Sequence, residues 1–216
     1  MRRETLDALR AARRDRIGAR LATDLSTGAQ TLDADSSGTT GLSQSPSGEL
    51  FLHVFQPTPR LIIVGAVHIA QKLAPLARLS EFAVTIVDPR GAFATAARFP
   101  DIAVRSEWPD RALESLRLDR STAIVTLSHD PKIDDPGLIA ALRSPAFYIG
   151  ALGSRKTHAR RIERLTAEGF DADDIARIRA PVGLPIGAVS PGEIAVSIMA
   201  EIVACRHGRF LQLAAS

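Results

Sequence analysis

Thiols, charge imbalance and long apolar runs are what this sequence has least of. Its 216 residues include one cysteine, Cys205. No intrachain disulfide framework and no Cys-x-x-Cys metal site can be built from it, which suits a reducing compartment. No apolar run reaches the roughly 20 residues that a membrane-spanning helix needs. The amino terminus, MRRETLDALRAARRDRIG, has no apolar h-region and does not read as a secretory signal. The expected location is therefore cytoplasmic. Net charge is only +3, and no basic stretch is interleaved with aromatics, so neither nucleic acid nor a membrane is an expected partner. The His-Glu-x-x-His motif, His/Cys clusters and the Gly-x-Ser-x-Gly elbow are missing too, which argues against a zinc enzyme and an α/β-hydrolase triad. No metal ligands and no catalytic residue are assigned.

What is present is ordinary globular composition, 45% apolar and 24% charged, arranged as alternating strands and helices. Short β-branched strands, apolar on both faces, read at 60–65, 83–88, 102–106, 122–127 and 146–150. Helical periodicity reads at 68–80, 90–98, 109–117, 134–143, 155–168 and 191–206. Strands of that kind lie in parallel sheets covered on both sides. The expected fold class is α/β: a Rossmann-like, doubly wound, mostly parallel sheet at 59–216, with a small N-terminal α/β appendage at 1–58. Within the appendage a helix at 4–16 precedes strands at 17–25, 29–33 and 50–56. The Ser/Gly/Thr-rich stretch 34–49 is too polar to pack and reads as a flexible loop.

Two turns carry the chemistry. RLIIVGAVHIAQKLAPLA, residues 60–77, begins as a dinucleotide-binding turn, but the fingerprint positions 65, 67 and 70 hold Gly65, Val67 and Ala70. A middle glycine normally lets backbone approach a pyrophosphate, and Val67 obstructs that approach unless the loop shifts. The helix N-terminus still offers free N–H groups, and His68 sits in the turn. Asp88, 23 residues after Gly65, can accept both ribose hydroxyls or can simply cap the turn before Pro89.

The second turn, in AFYIGALGSRKTHARRIERL (146–165), contains Gly150, Gly153 and the helix-capping Ser154. Arg155 and Lys156 place cations where the helix dipole disfavours them, so this turn reads as a phosphate or carboxylate cradle. Lys156, Arg160 and Arg164 share one helix face, most simply a solvated one.

His129, in TLSHDPKIDD, either meets a ligand or marks a helix start capped by Asp134 or Asp135. His53, His158 and His207 read as surface or satisfied residues, and Cys205 as a packing residue on a buried helix. Ser190, Pro191 and Glu193 form a capping-box signal for the last helix.

The stretches VGAVHIAQ, VDPR with the following RFP, SHD, YIGALGSRKTH and APVGLPIGAVSPGEIAVSIMAEI together resemble the xanthine dehydrogenase accessory factor family, also called XdhC/CoxI. The resemblance covers about residues 60–206. It implies a maturation factor rather than an enzyme, with a Rossmann-type domain that carries molybdenum cofactor as cargo. That cargo is molybdopterin or its cytosine dinucleotide form. It also implies aid to sulfuration and delivery to a molybdenum hydroxylase of the xanthine dehydrogenase type. A cysteine desulfurase and a second copy of the chain are further partners it suggests. Carried over by motif, the cofactor-binding positions are Gly65, His68, Asp88, Arg90, His129, Gly150, Gly153, Ser154, Arg155 and Gly183, with Glu193 matching beside them. Two departures stand out. Val67 replaces a usual glycine, and residues 1–58 lack the Gly-Ser-x-Pro-Arg segment of longer members, which marks a short form. Two other readings stay open: an NAD-dependent oxidoreductase with His129 as proton donor, and a non-catalytic nucleotide-binding assembly module with an exposed apolar patch.

Overall fold

The computed structural model describes residues 3–34, 38–46 and 48–208. The backbone divides into two compact units, Met1–Thr58 and Pro59–Ser216.

In the first unit the helix α1 (Arg3–Arg14) precedes β1 (Ala19–Asp24), β2 (Gln30–Asp33), β3 (Gly41–Ser45) and β4 (Gly48–Phe55). The four strands form one antiparallel sheet in the order β2-β1-β4-β3. Ala19 and Leu21 of β1 are its buried residues. The reading of 34–49 as one flexible loop is corrected here: β3 lies inside it, paired with β4 from Gly41↔Leu52 to Ser45↔Gly48. An edge strand needs a ladder on one side only and tolerates a polar outer face, so Ser43, Gln44 and Ser45 do not prevent pairing. Residues 35–37 and 47 of that stretch lie outside the described residues.

The second unit runs β5 (Arg60–Val64), α2 (His68–Leu79), β6 (Ala83–Val87), β7 (Ala103–Arg105), α3 (Pro109–Ser115), β8 (Thr122–Thr126), α4 (Pro131–Leu142), β9 (Tyr148–Ala151), α5 (Arg155–Ala167), α6 (Ala172–Ala176), β10 (Ile178–Arg179) and α7 (Pro191–Arg206). All six strands are parallel, in the order β10-β9-β8-β5-β6-β7. Counted from β5, that is the Rossmann order, with its reversal between β5 and β8. One core layer packs α2 and α7 on the sheet through Leu73, Ala77, Ile198 and Ile202. The other packs α3, α4 and α5 through Leu113, Leu138, Leu142 and Leu165.

Two expectations change. The stretch 90–98 is not a helix but a series of turns, with Phe93 and Ala94 bonded to Arg90 O and Arg98 and Phe99 bonded to Thr95 O. Tertiary bonds override the helical pattern. Arg98 Nη1 donates to the carbonyls of Ala66 and Phe93 at 2.8 Å each, and Arg90 folds back onto Asp88. The helix read at 134–143 starts at Pro131, capped by Asp130, whose side chain accepts from Lys132 N at 3.0 Å. The short α6 and β10 had no periodicity long enough to read.

Helix α7 is apolar nearly all round. Ala195, Ile198 and Ile202 face the core, while Val196 and Val203 stay exposed. With Leu79 and Ile186, Val196 lines an open apolar groove between α2 and the start of α7, and Val189 is exposed as well. No helix among the described residues is long and apolar enough to cross a membrane.

Candidate functional site at the carboxyl edge of the sheet

Three loops leave the carboxyl ends of the neighbouring strands β5, β8 and β9, the edge where such sheets bind ligands. Leu127 N bonds to Val64 O at 2.8 Å and Leu152 N to Thr126 O at 2.9 Å, so the strand ends are level.

In the first turn Gly65 adopts φ +102°, and a Cβ there would stand 2.8 Å from Ser128 N. The turn and the Ser128–Asp130 loop thus meet at the switch point because residue 65 has no side chain. Val67 serves as the N-cap of α2 without any side-chain cap bond, and its side chain packs partly against the core. Helix α2 has no acidic residue in its first turn. Among the described residues, the amides of Val67, His68, Ile69 and Ala70 have no bonded acceptor. His68 is exposed beside them.

Asp88 sits where expected, at the end of β6, but its role differs from the ribose acceptor suggested by spacing. It is fully buried, and its carboxylate accepts from Ala66 N at 2.7 Å, Arg90 N at 2.9 Å, Arg90 Nε at 2.9 Å and Arg90 Nη2 at 2.7 Å. Burial pushes this carboxyl up, but the Arg90 guanidinium and the two amides more than offset it and hold it below the usual aspartate value. Asp88 therefore clamps the first turn and leaves no oxygen for a sugar. Arg90 is spent on the same clamp and stacks over Phe93 at 4.5 Å.

After β8, His129 takes the left-handed backbone conformation, φ +63°, which costs a non-glycine residue about 1–3 kcal/mol. Asp134 holds it there. That carboxylate, 2% exposed, accepts from Ser128 Oγ at 2.7 Å, Ser128 N at 3.1 Å and His129 N at 3.1 Å. Burial raises its pKa above the ordinary value despite those bonds. Asp134 is thus not the helix cap; it fastens the loop and leaves the His129 side chain exposed on the rim.

In the second turn Gly153 adopts φ +139°. Ser154 caps α5, its Oγ accepting from Thr157 N at 3.2 Å. The amides of Gly153, Ser154, Arg155 and Lys156 have no bonded acceptor among the described residues. Arg155 and Lys156 are exposed, with no acidic residue in that helix turn. Arg164 is not merely solvated; it closes a two-pronged bond on Asp135 at 2.5 and 3.0 Å.

Gly150 and Gly183 lie behind the rim, at packing positions. Gly150 is inside β9, paired through the sheet, and a Cβ would meet Val182 Cγ2 at 2.6 Å and Tyr148 Oη at 2.9 Å. Gly183 lets the chain cross α7, where a Cβ would meet Ser197 Oγ, and its amide donates to Glu201 Oε2 at 2.9 Å. Glu201, 4% exposed, also accepts from Tyr148 Oη. Burial and then the Glu201 charge push the Tyr148 phenol well up. Tyr148→Phe leaves the buried Glu201 carboxylate with the Gly183 amide alone of these two donors; a loss of about 1–3 kcal/mol in urea unfolding is expected, with no change in ligand binding. Glu193 closes the capping box expected of it, accepting from Ser190 N at 2.8 Å and Val189 N at 2.9 Å.

Sequence reasoning missed Arg98, Glu201 and Arg161, the last buried at 2% exposure beneath the second turn, and read Asp134 only as a helix cap. The RFP segment was a signal for Arg98. Nothing in ARRIERL marks Arg161 as the inward residue in place of exposed Ile162.

Comparison with known proteins places the chain. The XdhC Rossmann domain family matches residues 61–202. The Molybdenum cofactor insertion chaperone PaoD of Escherichia coli (strain K12) is 34% identical over 152 residues, covering 70% of this chain and 42% of that protein. In Bacillus subtilis (strain 168), a protein described as a probable subunit of xanthine dehydrogenase is 34% identical over 158 residues, covering 73% of this chain and 46% of its own length. A crystal structure described as a xanthine dehydrogenase from Bacillus halodurans superposes with a TM-score of 0.71 at 25% identity, covering 96% of this chain and 65% of that one. The chain thus spans less than half the length of the two curated relatives.

Proposed function

The chain belongs to the XdhC Rossmann domain family, and on that premise we propose that it is a maturation factor for a molybdenum hydroxylase. In this reading it holds molybdenum cofactor at the carboxyl edge of its sheet, assists its sulfuration or insertion, and hands it to a client of the xanthine dehydrogenase type. The observation that carries the reading is the pair of uncovered helix N-termini, α2 and α5, on one sheet edge. Neither has an acidic residue in its first turn, and their leading amides lack acceptors among the described residues. Amides so arranged suit anionic oxygens, and the cargo, a pterin bearing one phosphate or a cytidine diphosphate, brings them.

Gly153, Ser154, Arg155 and Lys156 hold the phosphate end, and the amides of Val67, His68 and Ile69 offer a second seat; that of Ala70 lies in the core. His68 and His129, exposed on that rim, supply donors between them. Gly65 supports the site by letting the first two loops touch, and Asp88 with Arg90 by pinning the first turn. The oxidoreductase alternative is weaker, since its ribose acceptor would be Asp88, already closed on Arg90 and Ala66. The assembly-module alternative gains from the apolar groove of Leu79, Ile186 and Val196. It merges with the present reading if that groove receives the client.

Calorimetric titration tests the proposal. Molybdopterin cytosine dinucleotide binds near one per chain in the micromolar range or tighter, and NADH binds at least tenfold more weakly. Tight NADH binding without cofactor binding contradicts it.

A further inference from the structure

Beneath the second glycine turn lies a charge that no contact with an acidic group neutralises among the described residues. Arg161 is 2% exposed. Its Nη2 donates to Leu152 O at 2.9 Å, while Nε and Nη1 have no partner among the described residues. The guanidinium reaches the turn itself, since a Cβ on Gly153 would stand 3.8 Å from Nη2. Two more buried polar atoms lack such partners: His158 Nδ1, one helix turn back, and Thr126 Oγ1, on the residue whose carbonyl receives Leu152 N. The Asp134 and Asp135 charges both act on Arg161, but neither is bonded to it: the Asp134 oxygens are committed to Ser128 and His129, and those of Asp135 to Arg164. Other guanidiniums are treated differently. Arg164 closes on Asp135, and Arg177 donates to the carbonyls of Leu142, Ser144 and Ala146.

A buried cation without a contacting counter-charge is costly. In front of this one stand the unbonded amides of Gly153, Ser154, Arg155 and Lys156. Fixed charge and amide dipoles both favour negative charge at the same place, and burial lessens the screening between them.

We propose that Arg161 is the built-in counter-charge for an anion seated at the amides of Gly153–Lys156, a positioning residue that sets how tightly a phosphate or pyrophosphate group is held there. This rests on the cargo reading above and adds to it the residue that tunes the site. The anion does not touch the guanidinium; the positive charge acts through the turn, whose carbonyl at Leu152 it also fixes.

The test uses the full chain and inorganic pyrophosphate. Wild type, R161M and R161K are compared by calorimetry and thermal melting, with molybdopterin cytosine dinucleotide in a parallel series. R161M binds pyrophosphate at least tenfold more weakly, beyond any small fall in ligand-free melting temperature from the lost bond to Leu152 O. R161K, which keeps the charge, stays within about threefold of wild type. A merely structural arginine gives the opposite pattern, a lower ligand-free melting temperature with unchanged pyrophosphate affinity, and that overturns the inference. If R161M loses pyrophosphate affinity no more than R161K while wild type still binds the dinucleotide, the inference falls and the cargo reading stands. If wild type binds neither, both fall. Should R161M fail to fold, wild type alone decides by NMR: the Arg161 Nε–H signal moves with the Gly153 amide along one pyrophosphate curve, and an unmoved Nε–H refutes the proposal.

Discussion

Gly65→Ala destabilises the protein by about 3 kcal/mol, the sum of a left-handed backbone penalty and overpacking. That lowers Tm by about 6–12 °C for a unit of this size. Both causes are on one residue. Its φ of +102° is strained for any side chain, and the new Cβ falls 2.8 Å from Ser128 N and 3.1 Å from Ser128 Cα, atoms of backbone that cannot rotate away. The first turn and the loop bearing His129 must separate, so under the proposed function cofactor affinity drops together with stability. Gly137→Ala is the control. There the nearest atom, Val64 Cγ2, is 3.4 Å away and the residue is helical, so stability stays level or rises by up to about 1 kcal/mol. Equal losses in the two variants, read by urea and thermal unfolding, contradict the close-approach argument.

Asp88→Asn has the second large effect, a loss of about 2–3 kcal/mol. Most of it comes from the buried amide of Ala66 and the rearranged first turn, because Arg90 is 36% exposed and its own share is screened. The variant also changes the pH dependence. The Asp88 pKa is lowered in the fold, so its stabilisation is complete above the ordinary aspartate value of 3.8 and is lost as pH falls through the lowered folded value. The stability gap between wild type and Asp88→Asn therefore narrows steadily below about pH 4. Asp24 in the N-terminal unit titrates in the same sense, with its pKa held at about 2. It is common to both proteins and cancels in the difference. A gap that widens with acid contradicts the clamp.

The parallel strands were legible because β-branched apolar runs such as Leu61–Val64 and Ala123–Val125 are buried on both faces and have few other solutions. The XdhC family signature was legible in YIGALGSR and GLPIGAVSPGEIA, and the family match supports it. What spacing could not convey was the direction of polar side chains. Asp88 stands at the strand end as read, yet only coordinates show Arg90 turning back two residues to occupy it. Gly150 belongs to the strand rather than to the turn, because β9 runs one residue further to Ala151. Polar β3 escaped a reading that equated strand with hydrophobic run. The stretch 90–98 looked helical because periodicity carries no information about Arg98 reaching across to Ala66.

The central claim is that the uncovered amides at the sheet's carboxyl edge grip the cofactor. Backbone amide shifts of the 15N-labelled chain, followed while molybdopterin cytosine dinucleotide is added, test it most directly. The account predicts the largest movements at Val67–Ile69, His129 and Gly153–Lys156. Movements confined to the cavity beside Phe147, Arg179 and Cys205, or none at saturating ligand, contradict it.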